Sequence, residues 1–262
     1  MTRADVAVIG GSGFYSFLER AEQQDVSTPY GAPSGPVSVG SVAGRRVAFL
    51  PRHGAHHEHP PHRINYRANA WALRSLGVRQ VLAPCAVGSL THELAPGDVV
   101  VPDQLVDRTV GRVQSFVESG ACHVPFADPY CARTTAAVAS AYPGLKQGGT
   151  MVVVEGPRFS TRAESQHYAS QGWSLVNMTG HPEAVLAREM TQCYAAIALV
   201  TDLDAGLEAG QGVGQEEVFR RFAENLDRLR DLLADAIAAL PDPDGCTCAS
   251  WVDEVELTYE IP

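Results

Sequence analysis

The sequence lacks any apolar run long enough to cross a bilayer, and Met1-Thr2-Arg3-Ala4-Asp5 opens without the apolar core of a secretory signal. The expectation is a cytoplasmic protein with no membrane partner. Basic charge is also scarce: 20 Lys and Arg stand against 30 Asp and Glu, a formal net charge of −10. Such a field repels polyanions, so no general nucleic-acid partner is expected, although a few Arg and backbone donors can still build a local anion site. A disulfide framework is missing. The six cysteines, at 85, 122, 131, 193, 246 and 248, are mostly scattered through apolar sequence as small hydrophobes, and only Cys246 and Cys248 are neighbours. Internal repeats and domain linkers are absent, since the Pro/Gly-rich stretch 29–36 is short enough to be a loop. A chain of 262 residues then suits one large domain over 1–240. After Pro241 the sequence turns polar and irregular, so 241–262 reads as a tail, either an appendage or an element packed at an interface.

What is present is alternation. Short β-branched runs mark strands at Val6 to Ile9, Val47 to Leu50, Gln80 to Ala83, Val99 to Val101, Met151 to Val154, Leu175 to Met178 and Ile197 to Val200. Helical patterns cover Tyr66 to Leu76, Arg133 to Ala141, Ala163 to Gln171, Pro182 to Gln192 and Gln215 to Leu240. In the last, Val218, Phe219, Phe222, Leu226, Leu229, Leu233, Ile237 and Leu240 form one stripe, with Glu216 and Glu217 in the first turn and Pro241 beyond the end. The fold class that follows is α/β, a single domain with a mixed, largely parallel sheet flanked by helices.

Five stretches carry chemistry, each placed after an expected strand, where α/β folds bind ligands. Gly10-Gly11-Ser12-Gly13 can bring backbone amides and a hydroxyl to an anion, or can be a plain tight turn. In Pro51-Arg52-His53-Gly54, Arg offers a planar fork for phosphate oxygens. The histidines beyond it, His56, His57, His59 and His62, invite a metal, but Pro60-Pro61 breaks any helix that would align them, so solvated loop residues and no metal are expected. Cys85-Ala86-Val87-Gly88-Ser89 reads as a strand-to-loop turn, its Cys a buried thiol in preference to a nucleophile. Asn177-Met178-Thr179-Gly180-His181-Pro182-Glu183 sets a Thr hydroxyl at a helix start, as anion donor or simple cap. Thr201-Asp202-Leu203-Asp204 ends an apolar strand in two acids that point the same way, suited to a purine's donors unless the loop is merely solvated. Together these fit a phosphate and a nitrogenous base held in one cleft.

These stretches, with Asn65-Tyr66-Arg67-Ala68-Asn69, the run from Glu155 to Ser165 (Glu-Gly-Pro-Arg-Phe-Ser-Thr-Arg-Ala-Glu-Ser) and Cys122-His123-Val124-Pro125, resemble the 5′-methylthioadenosine phosphorylases, in the trimeric branch of the purine nucleoside phosphorylases. The resemblance runs from about Val6 to about Leu240, and the Glu-Gly-Pro-Arg-Phe segment is its most specific part. It implies a nucleoside phosphorylase fold and the cleavage of S-methyl-5′-thioadenosine by phosphate. The partners implied are a purine nucleoside and phosphate, in a homotrimer, with no cofactor. Ser12, Arg52, His53, Cys85, Ala86 and Thr179 would surround phosphate, and Met178 would lie under the ribose. Phe159 and Ser160 would line the base pocket, Asp202 and Asp204 would hold the purine as the catalytic pair, and Gln215 and Val218 would face the substrate. His123 would reach the 5′ end in a neighbouring subunit's site.

Departures from the family pattern concern the 5′ group more than the reaction. Cys85 stands where a phosphate-binding Thr is usual, His181 where many relatives are apolar, and Gln215 where a small apolar residue often faces the 5′ substituent. Cys246-Thr247-Cys248 resembles a pair that can be oxidised in some heat-stable relatives; two free thiols are the default in a cytoplasmic protein, and any bond is expected to be dispensable for catalysis. Competing readings are a phosphorylase of 6-oxopurine nucleosides, one of adenosines with another 5′ substituent, a dinucleotide oxidoreductase supported only by the first Gly loop, and a non-catalytic purine-binding protein.

Overall fold

In the computed structural model, which describes residues 2–14, 16–18, 20–206 and 212–262, the expected alternation closes around one sheet. The strands are β1 (Val6–Gly10), β2 (Glu22–Gln24), β3 (Val37–Val42), β4 (Arg45–Pro51), β5 (Gln80–Ser89), β6 (Val99–Val101), β7 (Gln104–Arg108), β8 (Lys146–Gln147), β9 (Thr150–Val154), β10 (Leu175–Asn177) and β11 (Cys193–Leu203). The helices are α1 (Tyr66–Ser75), α2 (Ala132–Ala141), α3 (Arg162–Ser170), α4 (Gly180–Glu189), α5 (Gln215–Glu224), α6 (Leu226–Ala239) and the short α7 (Thr247–Ser250). Among the described residues six of the ten strand pairings are parallel and four antiparallel, the mixed, largely parallel sheet that the alternation implies.

Strand β5 organises the sheet. Along one edge it pairs with β11 over its whole length. Its other edge is shared: Gln80 to Leu82 pair with β1, and Gly88 and Ser89 pair antiparallel with β10. The sheet therefore forks where β1 ends and β10 begins. Both faces of the central strands are buried, which is why they read as continuous apolar runs. On β11, Tyr194, Ala196, Ala198 and Val200 pack into one cluster with Leu73 and Leu76 near α1 and Ala184 and Ala187 of α4. The alternate residues Ala195, Ile197 and Leu199 pack into the other with Val138 of α2 and Leu229, Leu233 and Ile237 of α6. Truncating a fully buried Leu73 or Leu233 to Ala would cost about 2–5 kcal/mol.

Three differences from the sequence reading bear on the site. The stretch Cys85 to Ser89 is not a turn but the second half of β5. Pro84 lies within this strand although it lacks an N–H. Its carbonyl accepts from Arg52 Nη1 on the side that β1 has already left, and the nitrogen of an extended residue faces the same side, so no ladder bond is forfeited. Likewise Thr201, Asp202 and Leu203 continue β11, through an irregularity where Val200 pairs with Val87 and Asp202 already pairs with Gly88. Thr201 is the extra residue, and such a bulge re-aims the side chains beyond it. Finally, the long C-terminal helix is two helices divided at Asn225, whose side chain donates to the Arg221 carbonyl and competes with the helical ladder. The tail lies against the body: Cys246, Cys248 and Trp251 are buried, and Tyr259 donates to the Glu189 carbonyl at 2.7 Å.

Candidate active site

The ends of β1, β4, β5, β10 and β11 meet at the fork in the sheet and enclose a cavity of about 300 Å³. Of the residues singled out in the sequence, Ser12, Arg52, His53, Cys85, Ala86, Phe159, Ser160, Met178, Thr179, Asp202, Asp204, Gln215 and Val218 all line it. His123 does not; it is exposed elsewhere on the chain.

The wall built by β1, β4 and β5 depends on close backbone approach. A Cβ at Gly11 would lie 2.8 Å from the Pro84 carbonyl oxygen and 2.9 Å from Arg52 Nη1, so only glycine admits Arg52 here. Arg52 is 1% exposed, and its fork does not open freely into the cavity. Nε and Nη2 clasp the Glu183 carboxylate at 2.7 and 2.8 Å, and Nη1 and Nη2 donate to the carbonyls of Pro84 and Ile9. Four of five N–H donors are thus committed, leaving a single one, on Nη1, for an anion. Burial opposes the charge on Arg52, and the Glu183 carboxylate outweighs it, so the guanidinium stays protonated. Glu183 also accepts from the Tyr194 hydroxyl at 2.8 Å.

His53 is buried, which pushes its imidazole down to about 3, so it is neutral at physiological pH. Its Nδ1 lies 2.8 Å from the His59 carbonyl, which can only accept, so Nδ1 carries the proton and Nε2 is an acceptor. Nε2 can therefore accept a hydrogen bond from a protonated phosphate oxygen but cannot donate to a bare one. Burial likewise pushes the Cys85 thiol up to about 12, which removes it as a nucleophile.

At the start of α4 the Asn177 side chain does the capping. Its Oδ1 accepts from the backbone N–H groups of Thr179 and Gly180 at 2.7 Å each, while its Nδ2 donates to the Ala86 carbonyl. The Thr179 hydroxyl makes no cap; it donates to Asn177 Oδ1 in a long contact of 3.4 Å, which a turn of the hydroxyl toward an anion in the cavity would replace. The adjoining Met178 segment is anchored by Arg112, which donates to the carbonyls of Met178, His181 and Glu155. His181 is not in the cavity wall; its Nε2 meets Gln114 Oε1 at 2.7 Å.

The acids occupy the far end of β11. Asp202 is raised from 3.8 to about 6, chiefly by burial; the Thr201 hydroxyl at 2.7 Å opposes the rise and Asp204 adds to it. Asp204 is also raised by burial, against a hydrogen bond from Ser165 at 2.7 Å. Gly88 makes room for the pair: a Cβ there would stand 3.0 Å from Asp202 Oδ1 and 2.9 Å from Val176. Ser165 belongs to α3, whose start is fixed by a capping box between Thr161 and Glu164, with Arg158 forked onto Glu164. That arrangement sets the loop bearing Phe159 and Ser160.

The sequence reading missed several contributors. His57 lines the cavity and stacks on His53 with ring centroids 4.3 Å apart, so it is not a merely solvated loop residue. Phe219 of α5 meets His57 edge-on at 5.5 Å. Glu183 and Arg112 carry no local signature, because their partners are 131 and up to 69 residues away in sequence.

Comparison with known proteins bears on the family and the fold. The model of the phosphorylase superfamily matches residues 5–239. An S-methyl-5′-thioadenosine phosphorylase of Mycolicibacterium smegmatis is 58% identical over 98% of this chain and 99% of the relative. A purine nucleoside phosphorylase of Streptomyces coelicolor is also 58% identical, over 99% of this chain and 98% of the relative. Among solved structures, a methylthioadenosine phosphorylase of Schistosoma mansoni in complex with adenine superposes with a TM-score of 0.86 at 37% identity, covering 90% of this chain and 91% of that one. With a matching family model across nearly the whole domain and relatives of this identity, the chain belongs to the phosphorylase superfamily.

Proposed function

We propose that this protein cleaves S-methyl-5′-thioadenosine with phosphate, giving adenine and 5-methylthioribose 1-phosphate. The observation that carries the reading is a single cavity lined both by anion donors (Ser12, Thr179, Arg52) and by a pair of acids, the half-buried Asp202 and the buried Asp204. Relatives named for this activity, at up to 58% identity over the full chain, support it. As the C1′–N9 bond breaks, its electron pair goes to the purine and positive charge builds on the sugar. Asp202, raised to about 6, is matched to hand a proton to the purine imidazole ring near neutral pH. Asp204, held by Ser165, orients the base beside it. Phosphate stabilises the cationic sugar carbon and captures it through an oxygen lone pair. Met178 would lie under the ribose, and Phe159, Ser160, Gln215 and Val218 would shape the rest of the pocket.

Further parts of the proposal concern assembly. The exposed His123 would complete the site of a neighbouring subunit, in a homotrimer working in the cytoplasm without a cofactor in the reaction. The domain is 1–240, with the tail 241–262 packing at or near an interface. A second reading, phosphorolysis of 6-oxopurine nucleosides, is favoured by two observations: the Streptomyces coelicolor relative, and the raised Asp202, whose protonated form could donate to a ring carbonyl. Initial rates for methylthioadenosine, adenosine, inosine and methylthioinosine at saturating phosphate separate them. Highest kcat/KM for methylthioadenosine is expected; a preference for either inosine form selects the second reading.

A further inference from the structure

Far from this cavity, we propose, Cys131, Cys193, Cys246 and Cys248 form a tetrathiolate site for one zinc ion that staples the C-terminal tail to the body of the enzyme. Their four sulfurs all lie within 4.8 Å of one another, and Cys131 and Cys246 are 3.6 Å apart. A tetrahedral zinc site with bonds of about 2.3 Å has sulfur–sulfur edges of about 3.8 Å, so small side-chain adjustments complete the geometry. All four residues are buried, and the four make up a hydrophobic cluster by themselves. Packing alone would be met by any small apolar mixture; four sulfurs drawn from three separate stretches form a soft-donor set, which selects zinc over hard cations.

The scaffold holds the ligands in place by contacts that do not involve sulfur. The Cys131 amide donates to the Tyr194 carbonyl at 2.8 Å, which sets Cys131 beside Cys193 at the start of β11. Arg133 donates to the carbonyls of Asp242 and Asp244, and Arg79 pairs with the Asp244 carboxylate at 2.5 Å, which brings the tail back to the same place. Cys246 and Cys248 then enter from a turn closed by the Cys246 amide on the Pro243 carbonyl. Cys131 is the N-cap of the ten-residue α2, where the helix dipole favours a thiolate. On binding, the four thiols release their protons to solvent and the sulfur lone pairs coordinate the ion. The sequence expectation of no metal came from the histidine loop; the thiol set was hidden because the stretches that supply it meet only in the fold.

The role is structural. Cys193 opens β11 and Asp202 lies nine residues along the same strand, about 30 Å away at about 3.3 Å per residue. The test uses the full chain, purified under reducing conditions, made metal-free and titrated with Zn(II) or Co(II). The expected result is one zinc per chain by elemental analysis. Co(II) should give thiolate-to-metal charge transfer and the visible bands of a tetrahedral site. Zinc should raise Tm and leave kcat/KM unchanged. Cys246→Ser/Cys248→Ser should lose stoichiometric binding, whereas Cys122→Ser should keep it. The proposal is overturned if the reduced wild-type chain binds neither ion, if it carries iron–sulfur absorption instead, or if the protein isolated without reductant is metal-free and four hydrogens lighter through two disulfides.

Discussion

Replacing Asp202 by Asn should make the protein more stable above neutral pH while impairing catalysis. Asp202 is raised from 3.8 to about 6, chiefly by burial, with the Thr201 hydroxyl opposing the rise and the nearby Asp204 adding to it. Its folded-state value lies above its unfolded-state value, so its full contribution to stability is present below about 4 and is lost as pH rises through about 6. The interval corresponds to at most roughly 3 kcal/mol between ionised and neutral forms. Asn keeps an oxygen acceptor for the Thr201 hydroxyl but cannot ionise. Only about one pH unit of that interval lies above pH 5, so the ligand-free variant should gain on the parent as pH rises from 5 to 8 by roughly 3–6 °C in Tm for a domain of this size. Differential scanning calorimetry of both proteins across that range measures it. Parallel Tm curves at every pH would refute the idea that Asp202 is ionised at a cost inside the fold.

In the substrate panel, Asp202→Asn should shift the ratio of kcat/KM for methylthioadenosine and methylthioinosine toward the inosine form by about tenfold or more, because a buried polar mismatch costs about 1–3 kcal/mol; an unchanged ratio removes Asp202 as the base reader. Arg52→Ala should raise the KM for phosphate and also cost about 3–5 kcal/mol of stability in denaturant titrations, since it strands Glu183 in the interior; a variant as stable as the parent would contradict the clasp described here. His123→Ala should lower kcat/KM for the nucleoside with little change in the KM for phosphate, and light scattering should find three chains per particle; a fully active monomer ends the shared-site proposal.

Periodicity and residue type made much of this fold readable. The stripes on α1 to α4 and the β-branched runs of β1, β4, β6, β9 and β10 announced themselves locally, to within a few residues at their ends. Strands β2, β3, β7 and β8 did not, because Glu22–Gln24 and Lys146–Gln147 are short and polar and Val37–Val42 is interrupted by Gly40. Thirteen of the residues singled out in the sequence come together around one cavity, since strand ends converge in this architecture. Partnerships across the chain stayed hidden. Arg52 read as an open phosphate fork until Glu183 closed on it, His57 read as solvated until His53 stacked against it, and Cys131 read as a small hydrophobe until the tail returned. The bulge at Thr201 is a property of the pairing of β11 with β5 and has no signature in either strand alone.

The most direct test of the central claim is the fate of the sugar. The purified protein is incubated with methylthioadenosine with and without inorganic phosphate, and the products are identified by mass spectrometry. Adenine and 5-methylthioribose 1-phosphate should form only when phosphate is present. Adenine released equally fast without phosphate, together with free 5-methylthioribose, would contradict phosphorolysis.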